Sequence, residues 1–226
     1  MVANLDYERT LFSRSVRRIV AIDEVGRGAL AGPVTVGAVV VSPGSAECPA
    51  EIDDSKKLCS TKRAALVPRI HTWVDHFAVA HIEATRIDAV GITAALGEGA
   101  RSAIDQLALS DIEQDTVLLL DGKHDFVSSH VPGLQVHTVI GGDGRCASIA
   151  GASILAKECR DALMRDLHER HPVYGWRTNV GYGTTEHRNA IERFGVTPQH
   201  RISWRLRPAV HKDRSGNPQE KTASAG

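Results

Sequence analysis

Acidic residues follow apolar stretches at separate places along this sequence. Asp23 and Glu24 come directly after four apolar residues, and Asp121 follows another such run. Asp143 lies in a Gly-Gly-Asp-Gly segment ahead of a helical pattern. If these elements meet in one sheet, their ends bring the carboxylates together, and such groups cannot all stay ionised without cations. Because oxygen ligands suit Mg²⁺ or Mn²⁺ better than zinc, the pattern predicts a divalent-cation site.

Each acid also has a purely structural explanation. Asp121 followed by Gly122 is a common turn dipeptide, and Asp143 is placed to cap the next helix. Asp23 and Glu24 are harder to explain in this way, because two acids directly after a buried run are costly unless paired. Since neighbouring strand residues point to opposite faces, both can serve one site only if the strand ends or bulges at Asp23.

A glycine-rich turn follows the first acids. Gly26-Arg27-Gly28 and the alanine three residues on fit the G-x-G-x-x-A pattern of dinucleotide-binding folds. That motif requires a helix after the turn, whereas Gly32-Pro33 leads into a β-branched run. A nicotinamide-dependent oxidoreductase therefore remains only an alternative. The glycines permit a ligand to approach the backbone closely, and Arg27 is free to meet phosphate.

The apolar pattern predicts a mixed α/β fold. Strands are predicted at 19–22, 34–41, 77–82, 117–120 and 136–140, and helices at 60–66, 85–109, 146–171 and 185–194. Consecutive strands favour antiparallel pairing, and the helix before the fourth strand permits a parallel crossover. Ser60 is predicted to cap its helix, which Pro68 should kink or end. Glycines within 85–109 indicate a weak helix or two helices.

Composition limits the class of protein. The 226 residues are 42% hydrophobic and 24% charged, which is ordinary for a globular domain. We expect a cytoplasmic protein, because no apolar stretch approaches the ~20 residues of a membrane span and no signal pattern opens the chain. The cysteines form no C-x-x-C pair, which predicts reduced, buried thiols.

Charge is distributed unevenly although the net charge is zero. Residues 1–156 carry a balance of −5 and residues 157–214 a balance of +5. An acidic first part and a basic second part are compatible with a carboxylate site beside a polyanion-binding face. Ordinary scatter of surface charge explains the same numbers.

A series of short segments, taken in order, resembles the bacterial type II ribonuclease H family. The opening segment, 23–34, reads Asp-Glu-Val-Gly-Arg-Gly-Ala-Leu-Ala-Gly-Pro-Val. The later segments lie at 54–58, 119–122, 142–143, 147–157, 160–161, 181–184 and 200–204. The resemblance covers about residues 18–205, and the ordered series is far more specific than any one segment.

The resemblance implies a ribonuclease H-like α/β fold. Its central sheet would be mixed, with three antiparallel strands and then parallel strands, flanked by helices and followed by a small helical C-terminal part. The corresponding organisation is an N-terminal extension at 1–17, a catalytic domain at 18–207 and a tail at 208–226. The polar composition of the tail predicts disorder.

The resemblance also implies an activity. The expected enzyme is an endonuclease that hydrolyses the RNA strand of RNA·DNA hybrids and incises duplex DNA 5′ to a single embedded ribonucleotide. Two Mn²⁺ or Mg²⁺ ions would support phosphodiester hydrolysis, giving 5′-phosphate and 3′-hydroxyl ends. We expect no organic cofactor, no membrane association and a monomer.

Site residues follow from the matching motifs. The implied catalytic, metal-binding acids are Asp23, Glu24, Asp121 and Asp143. The implied substrate-binding residues are Gly26, Arg27 and Gly28, which would read the ribose 2′-hydroxyl, together with Lys56 and Tyr182. Tyr182 would pack against the sugar at the RNA–DNA junction, although a ring between two glycines is also explained by burial in the core.

Other residues are weaker candidates. Possible phosphate contacts, besides Arg27 and Lys56, are Lys57, Arg145, Lys157, Arg188 and Arg201. Asp161 is either a surface acid or a partner of these cations, and His187 and His200 are either proton shuttles or structural residues. A non-catalytic nucleic-acid-binding module is a further alternative, against which the four acids argue.

Four positions depart from the family pattern. They are Gly141 for a usual lysine, Ala29 for a usual proline, Gly151 for a usual alanine and Ile202 for a usual basic residue. The changes at Gly141 and Ile202 remove positive charge and are expected to weaken contacts with the substrate backbone. None replaces one of the four acids, so the departures bear on rate and metal preference.

Overall fold

A five-stranded mixed sheet forms the centre of the protein. The computed structural model describes residues 2–14, 16–109 and 115–206. The strands are β1 (Arg18–Val25), β2 (Val34–Val41), β3 (His76–Ile82), β4 (Thr116–Asp121) and β5 (Gln135–Val139). Their spatial order is β3-β2-β1-β4-β5, with the first two pairings antiparallel and the last two parallel. The predicted mixed sheet is confirmed.

Helices cover both faces of this sheet. They are α1 (Asp6–Phe12), α2 (Ser60–Trp73), α3 (Ala84–Val90), α4 (Ile92–Gln106), α5 (Ala147–Arg170), α6 (Trp176–Asn179) and α7 (Thr185–Phe194). The long helix α5 packs against β1 and β2, and α4 packs against β2 and β3. None of the helices in the described ranges is long and apolar enough to cross a bilayer.

A hydrophobic core lies on each face of the sheet, which explains why the strand sequences are continuous apolar runs. In β1, Ile19 and Ala21 pack in the cluster that contains α5. Val20 and Ile22 pack in the cluster that contains α4. A strand covered on both faces buries every residue, so it lacks the alternation of apolar and polar residues that is typical of a strand with one solvent-exposed face.

Two features of α2 differ from prediction. Of the predicted kink or end at Pro68, the end does not occur: the helix continues to Trp73, and Ile70 and Trp73 are buried in the α5-side core. Burying each side chain contributes about 1.5–3 kcal/mol, enough together to offset the ~3 kcal/mol cost of an internal proline. Ser60 is the first helical residue rather than the cap, which is Cys59 without a side-chain capping bond.

The predictions for the helical region 85–109, the cysteines and the C-terminal tail had different outcomes. The weak helix at 85–109 is two helices separated by Gly91, whose φ of 81° interrupts the helical backbone. The cysteines are free thiols, but Cys59 and Cys159 are exposed, so the prediction of burial is wrong for these two. The predicted tail at 208–226 lies outside the described residues.

The N-terminal segment contains a helix that the sequence did not predict. Asn4 forms a parallel bridge with Cys146 and accepts a hydrogen bond from the Ala147 N–H at 2.9 Å. Buried Glu8 in α1 accepts hydrogen bonds from Ser148, from the backbone N–H at 2.9 Å and from Oγ at 2.6 Å. The first turn of α5 is therefore held by the segment that precedes β1.

Candidate active site

Three of the predicted acids lie at one edge of the sheet. β1 pairs with β4 only as far as Ile22, whereas its pairing with β2 continues to Val25. Asp23 and Glu24 therefore extend beyond the contact with β4, and Asp121 is the last residue of β4. All three acids line one cavity of about 770 Å³.

The expected end or bulge at Asp23 is not observed. The register with β2 is unbroken through Asp23 and Glu24. Asp23 is buried and Glu24 is half-buried, yet both line the same cavity. Because β4 no longer flanks β1 at this point, the cavity reaches both residues of a regular strand.

The carboxylates of this edge are mutually coupled. Burial, followed by the nearby Glu24 carboxylate, raises the pKa of Asp23 well above its usual value, and Asp121 adds to the rise. Burial also raises the pKa of Glu24, although the Arg27 guanidinium opposes the change. Burial, with Asp143 next, raises the pKa of Asp121. These acids therefore favour a bound proton or a bound cation over bare negative charge.

Asp143 joins this edge through the turn before α5. The turn spans Gly142–Gly144, and the Gly142 N–H donates a 2.6 Å hydrogen bond to Asp121 Oδ1. Asp143 is buried, and its Oδ2 accepts a 2.9 Å hydrogen bond from Lys56 Nζ. Although burial alone would lower the pKa of Lys56, the hydrogen bond and charge of Asp143 raise it above its usual value. A lysine ammonium thus neutralises one acid of the set.

The donor chemistry of the four acids fits a divalent cation. All are carboxylates and three repel one another, while Lys56 balances Asp143 and Arg27 partly balances Glu24. Hard oxygen donors of this kind are the ligands of Mg²⁺ and Mn²⁺. Across the described ranges, however, no three acidic, histidine or cysteine side chains already lie at the spacing of a metal-ligand set. The acids therefore suit a cation in charge and donor type but are not pre-arranged around one.

The glycine turn lines the same cavity and begins two residues after Glu24. Gly26 has a φ of 85°, and a Cβ there would lie 2.1 Å from Nε of Arg160. Glycine is required at this position because a buried arginine approaches it from inside the protein. Gly28 differs, since a Cβ there would meet only the Tyr182 ring at 3.9 Å. A ligand can therefore approach the backbone closely at Gly28, whereas the space beside Gly26 is filled by Arg160.

Arg201 was predicted to contact phosphate, and that prediction is wrong. Its side chain is fully buried and donates hydrogen bonds to the carbonyls of Gly26, Arg27 and Gly32. No part of this guanidinium is available to a ligand at the surface. Arg201 supports the turn from beneath.

Tyr182 is exposed, contrary to the explanation that its ring is buried. The residue is 38% exposed and lines the cavity beside Gly26 and Gly28. The Arg160 guanidinium carbon lies 5.8 Å from the ring centroid. An exposed ring beside an open backbone turn is placed to stack on a sugar or base.

The remaining basic candidates are engaged with protein groups. Arg27 pairs with Glu24 at 3.3 Å, and Lys157 donates to Asp161 at 2.6 Å; all of these line the cavity. The other contacts are Lys57 to Asp53, Arg145 to the Ile140 carbonyl, and Arg188 to the carbonyls of Gly183, Arg205 and Leu206. Asp161 is thus a partner of the cations rather than an isolated surface acid.

The two histidines do not line the cavity. Buried His187 and His200 meet through their Nε2 atoms at 3.2 Å, and Trp176 Nε1 donates to His187. Burial, followed by the charge of His187, lowers the pKa of His200 to about 4. These residues are structural parts of the C-terminal helical region, not proton shuttles.

Sequence reasoning missed several cavity residues. They are Arg63, Ser153, Arg165 and Arg177. Arg63 bridges Glu158 at 2.8 Å and Asp161 at 3.6 Å. No local pattern marks Arg63, because its position depends on α2 packing against α5.

The departures from the family pattern have local effects. The Ala29 N–H donates to the Gly26 carbonyl at 3.2 Å, a bond that proline cannot make. Gly141 has a φ of 65° with open space around it. A Cβ at Gly151 would lie 3.3 Å from the Trp73 ring, and Ile202 is exposed. None of these residues is among those that line the cavity.

Known proteins of one family resemble this chain over most of its length. The sequence model of a family described as Ribonuclease HII matches residues 20–207. The Ribonuclease HII of Ruegeria sp. strain TM1040 is 43% identical over 209 residues, covering 92% of this chain and 86% of that protein. The Ribonuclease HII of Streptomyces coelicolor is 42% identical over 198 residues, covering 87% and 81%.

Solved structures share the fold. The ribonuclease H2 of Pyrococcus horikoshii OT3 superimposes with a TM-score of 0.67 at 21% identity, covering 84% of this chain and 94% of that chain. The structure of Bst-RNase HIII in complex with Mn²⁺ has a TM-score of 0.65 at 18% identity, covering 87% and 70%. The ribonuclease H-like α/β architecture is confirmed.

Proposed function

This chain belongs to the ribonuclease HII family, and from that membership we propose that it incises duplex DNA on the 5′ side of a single embedded ribonucleotide. It is a metal-dependent endoribonuclease that acts on the RNA strand of RNA–DNA hybrids. One observation carries the finer proposal. A single cavity joins a cluster of carboxylates to an open glycine turn and an exposed tyrosine.

The acidic end would hold the cations. We assign this role to Asp23, Glu24, Asp121 and Asp143, whose donor type and mutual repulsion fit Mg²⁺ or Mn²⁺. Two ions held by these carboxylates would supply an activated water and stabilisation of the leaving 3′-oxygen, and the products would carry 5′-phosphate and 3′-hydroxyl ends. The Gly142 N–H keeps Asp121 oriented through its 2.6 Å hydrogen bond.

The glycine turn would recognise ribose. Within the described residues, no protein acceptor meets the N–H groups of Gly26, Arg27 or Gly28. The 2′-hydroxyl is the group that distinguishes RNA from DNA at a given position, and it accepts as well as donates hydrogen bonds. The exposed Tyr182 ring lies beside Gly28, where it would pack on the adjoining sugar.

Positive groups would offset the negative charge of the acidic end. Lys56 is 74% exposed at its side chain although its ammonium bonds Asp143. A flexible, exposed lysine can exchange this carboxylate for a substrate phosphate, which we propose as its binding role. Arg27, with 47% of its side chain exposed, lies on the same rim.

Two other functions fit the site less well. The glycine turn leads into β2, so it lacks the following helix that a dinucleotide-binding motif requires. Membership in an enzyme family with four acids in place argues against a non-catalytic binding module. We further propose that residues 18–207 form the catalytic domain and that the protein acts as a monomer, since one chain supplies the whole cavity.

Cleavage-site mapping tests the proposal. The substrates are a duplex with one ribonucleotide, a continuous RNA–DNA hybrid and an all-DNA duplex, each incubated with Mn²⁺ or Mg²⁺. We expect one incision 5′ to the ribonucleotide, cleavage of the hybrid, no cleavage of DNA, and complete loss of activity in excess chelator. Cleavage of the hybrid without incision at the single ribonucleotide would contradict the proposal, and Asp23→Asn controls for contaminating nucleases.

A further inference from the structure

Two fully buried arginines lie beneath the glycine turn. Arg160 comes from the middle of α5, and Arg201 follows α7. They are separated from the turn by more than a hundred residues in the sequence. Both side chains have a relative exposure of 0%, so neither reaches the cavity surface.

Arg201 binds the carbonyls at both ends of the turn. Its Nη2 donates to Gly26 O at 2.7 Å and to Gly32 O at 3.1 Å, and its Nη1 donates to Arg27 O at 2.8 Å. Nε donates to Gly32 O at 3.2 Å. The planar guanidinium therefore fixes the orientation of three peptide groups at once.

Arg160 binds the segment that follows. Its Nε donates to Pro33 O at 2.9 Å and its Nη2 to Ala31 O at 3.2 Å. Its Nη1 donates to Val180 O at 2.8 Å, next to the loop that carries Tyr182. One guanidinium thus couples the glycine turn to the tyrosine loop.

These contacts determine which backbone groups remain for a ligand. The carbonyls of Gly26 and Arg27 are held towards the protein interior by Arg201. In the described part of the chain, the N–H groups of Gly26, Arg27 and Gly28 have no protein acceptor. The peptide plane of the Gly26 carbonyl carries the Arg27 N–H, and that of the Arg27 carbonyl carries the Gly28 N–H. Since a peptide plane with its carbonyl fixed inward directs its N–H the other way, Arg201 directs these two donors towards the cavity.

The charges of both arginines are offset by carbonyl dipoles. Neither guanidinium forms an ion pair with a carboxylate of the described residues. Burial, with Arg160 next, lowers the pKa of Arg201 to about 10, so it stays charged at neutral pH. A buried cation without a counterion is costly, and its field attracts an anion to the surface above it.

We propose that Arg160 and Arg201 are positioning residues for ribose selection, holding the turn with its N–H groups open to the 2′-hydroxyl and adding positive potential for the nucleic-acid backbone. This inference rests on the proposed function of the turn. Neither arginine touches the substrate. Their effect passes through the peptide groups of residues 26–33 and through Tyr182.

Arg201→Lys in the full chain tests the inference, because lysine keeps the charge but loses the planar fork. Affinity is measured for a one-ribonucleotide duplex and for the matched all-DNA duplex, in an Asp23→Asn background that prevents turnover. We expect the preference for the ribonucleotide duplex to fall about tenfold, while affinity for DNA changes less than threefold. In the active enzyme, KM for the ribonucleotide duplex should rise more than kcat falls.

A control variant separates positioning from general destabilisation. Tyr174→Phe removes a 3.0 Å hydrogen bond to the Gly195 carbonyl in the same C-terminal region without touching the turn. It should lower thermal stability and leave the ribonucleotide preference unchanged. An equal loss of preference in Tyr174→Phe and Arg201→Lys would overturn the positioning role.

The outcomes distinguish the inference from the proposed function. If the wild-type protein shows no preference for the ribonucleotide duplex, the proposed function fails. If it shows that preference and a folded Arg201→Lys variant retains it, only the inference fails. Should Arg201→Lys not fold, hydrogen exchange on the wild type decides: the N–H groups of Arg27 and Gly28 must exchange fast in the free protein and slowly with the ribonucleotide duplex. Slow exchange in free protein would overturn the inference.

Discussion

Two adjoining parts of the cavity have opposite electrostatic character. At the acidic cluster, comprising Asp23, Glu24, Asp121 and Asp143, burial brings like charges together, and one lysine neutralises part of them. At the glycine turn, residues 26–33, two buried cations lie beneath a neutral backbone and are held by its carbonyls. A bound cation would relieve the repulsion among the acids, and the buried arginines would attract an anion to the surface above the turn.

The difference also concerns rigidity. The turn is fixed by several hydrogen bonds from planar guanidinium groups, so recognition of a sugar there requires little rearrangement. The acids are not arranged at metal-ligand spacing within the described ranges, so a bound ion would have to draw them together. The cavity therefore combines a turn held in place by the protein with acids that a metal ion would have to complete.

The largest expected effect is loss of catalysis at the acidic end. Asp23→Asn should reduce single-turnover cleavage by at least about 10³-fold while affinity for the hybrid survives, because it removes a proposed ligand without touching the turn. Asp105→Asn, at an exposed acid paired with Arg101 on α4, is the matched control. A near-normal rate in Asp23→Asn would show that the acidic cluster is not the catalytic end.

The next effect tests the rigidity of the turn. Gly26→Ala places a methyl group 2.1 Å from Arg160 Nε at a φ of 85°, so it combines strain with a clash. Gly91 has a similar φ of 81° with open space around it, so Gly91→Ala measures the backbone strain without a clash. By denaturant unfolding, we expect Gly91→Ala to cost about 1–2 kcal/mol and Gly26→Ala about 1–3 kcal/mol more. Equal costs would mean that the arginine contact is not rigid.

Metal binding should depend on pH at the acidic end. The raised pKa values of Asp23, Glu24 and Asp121 mean that the metal-free protein retains protons above the ordinary carboxyl range near pH 4. A cation must displace these protons, so Mn²⁺ affinity should rise with pH by up to about tenfold per unit for each proton released. Calorimetry in buffers of different ionisation enthalpy measures the release, and a pH-independent affinity would contradict the coupling.

The smallest effect is on stability without metal. A carboxyl whose folded pKa is raised contributes most stability below its unfolded pKa and loses it as pH rises through the folded value. At neutral pH, Asp23→Asn should therefore raise the thermal midpoint in chelator by about 2–4 °C for each kcal/mol of repulsion relieved. Calorimetry at pH 5 and pH 7.5 should show a larger gain in thermal midpoint at pH 7.5. A lower midpoint for Asp23→Asn at both pH values would contradict repulsion among the acids in the metal-free protein.

Much of the fold was predictable because its signals are local. Two-sided burial produces continuous apolar strands, and the β-branched run of β2 was predicted with its observed limits, Val34–Val41. The long apolar pattern of α5 predicted its extent within a residue at each end. The passage of α2 through Pro68 could not be predicted, since the compensating burial of Trp73 depends on the packed core.

The sequence by itself determined the acidic cluster, the mixed sheet and the family, because acids at strand ends and an ordered series of motifs are readable along the chain. Only the tertiary structure decided why Gly26 must be glycine, that Arg201 is buried and that Tyr182 is exposed. The physical reason is distance in sequence. Hydrogen bonds from guanidinium groups more than a hundred residues away leave no local pattern, and burial of a charged side chain is settled only when the chain packs around it.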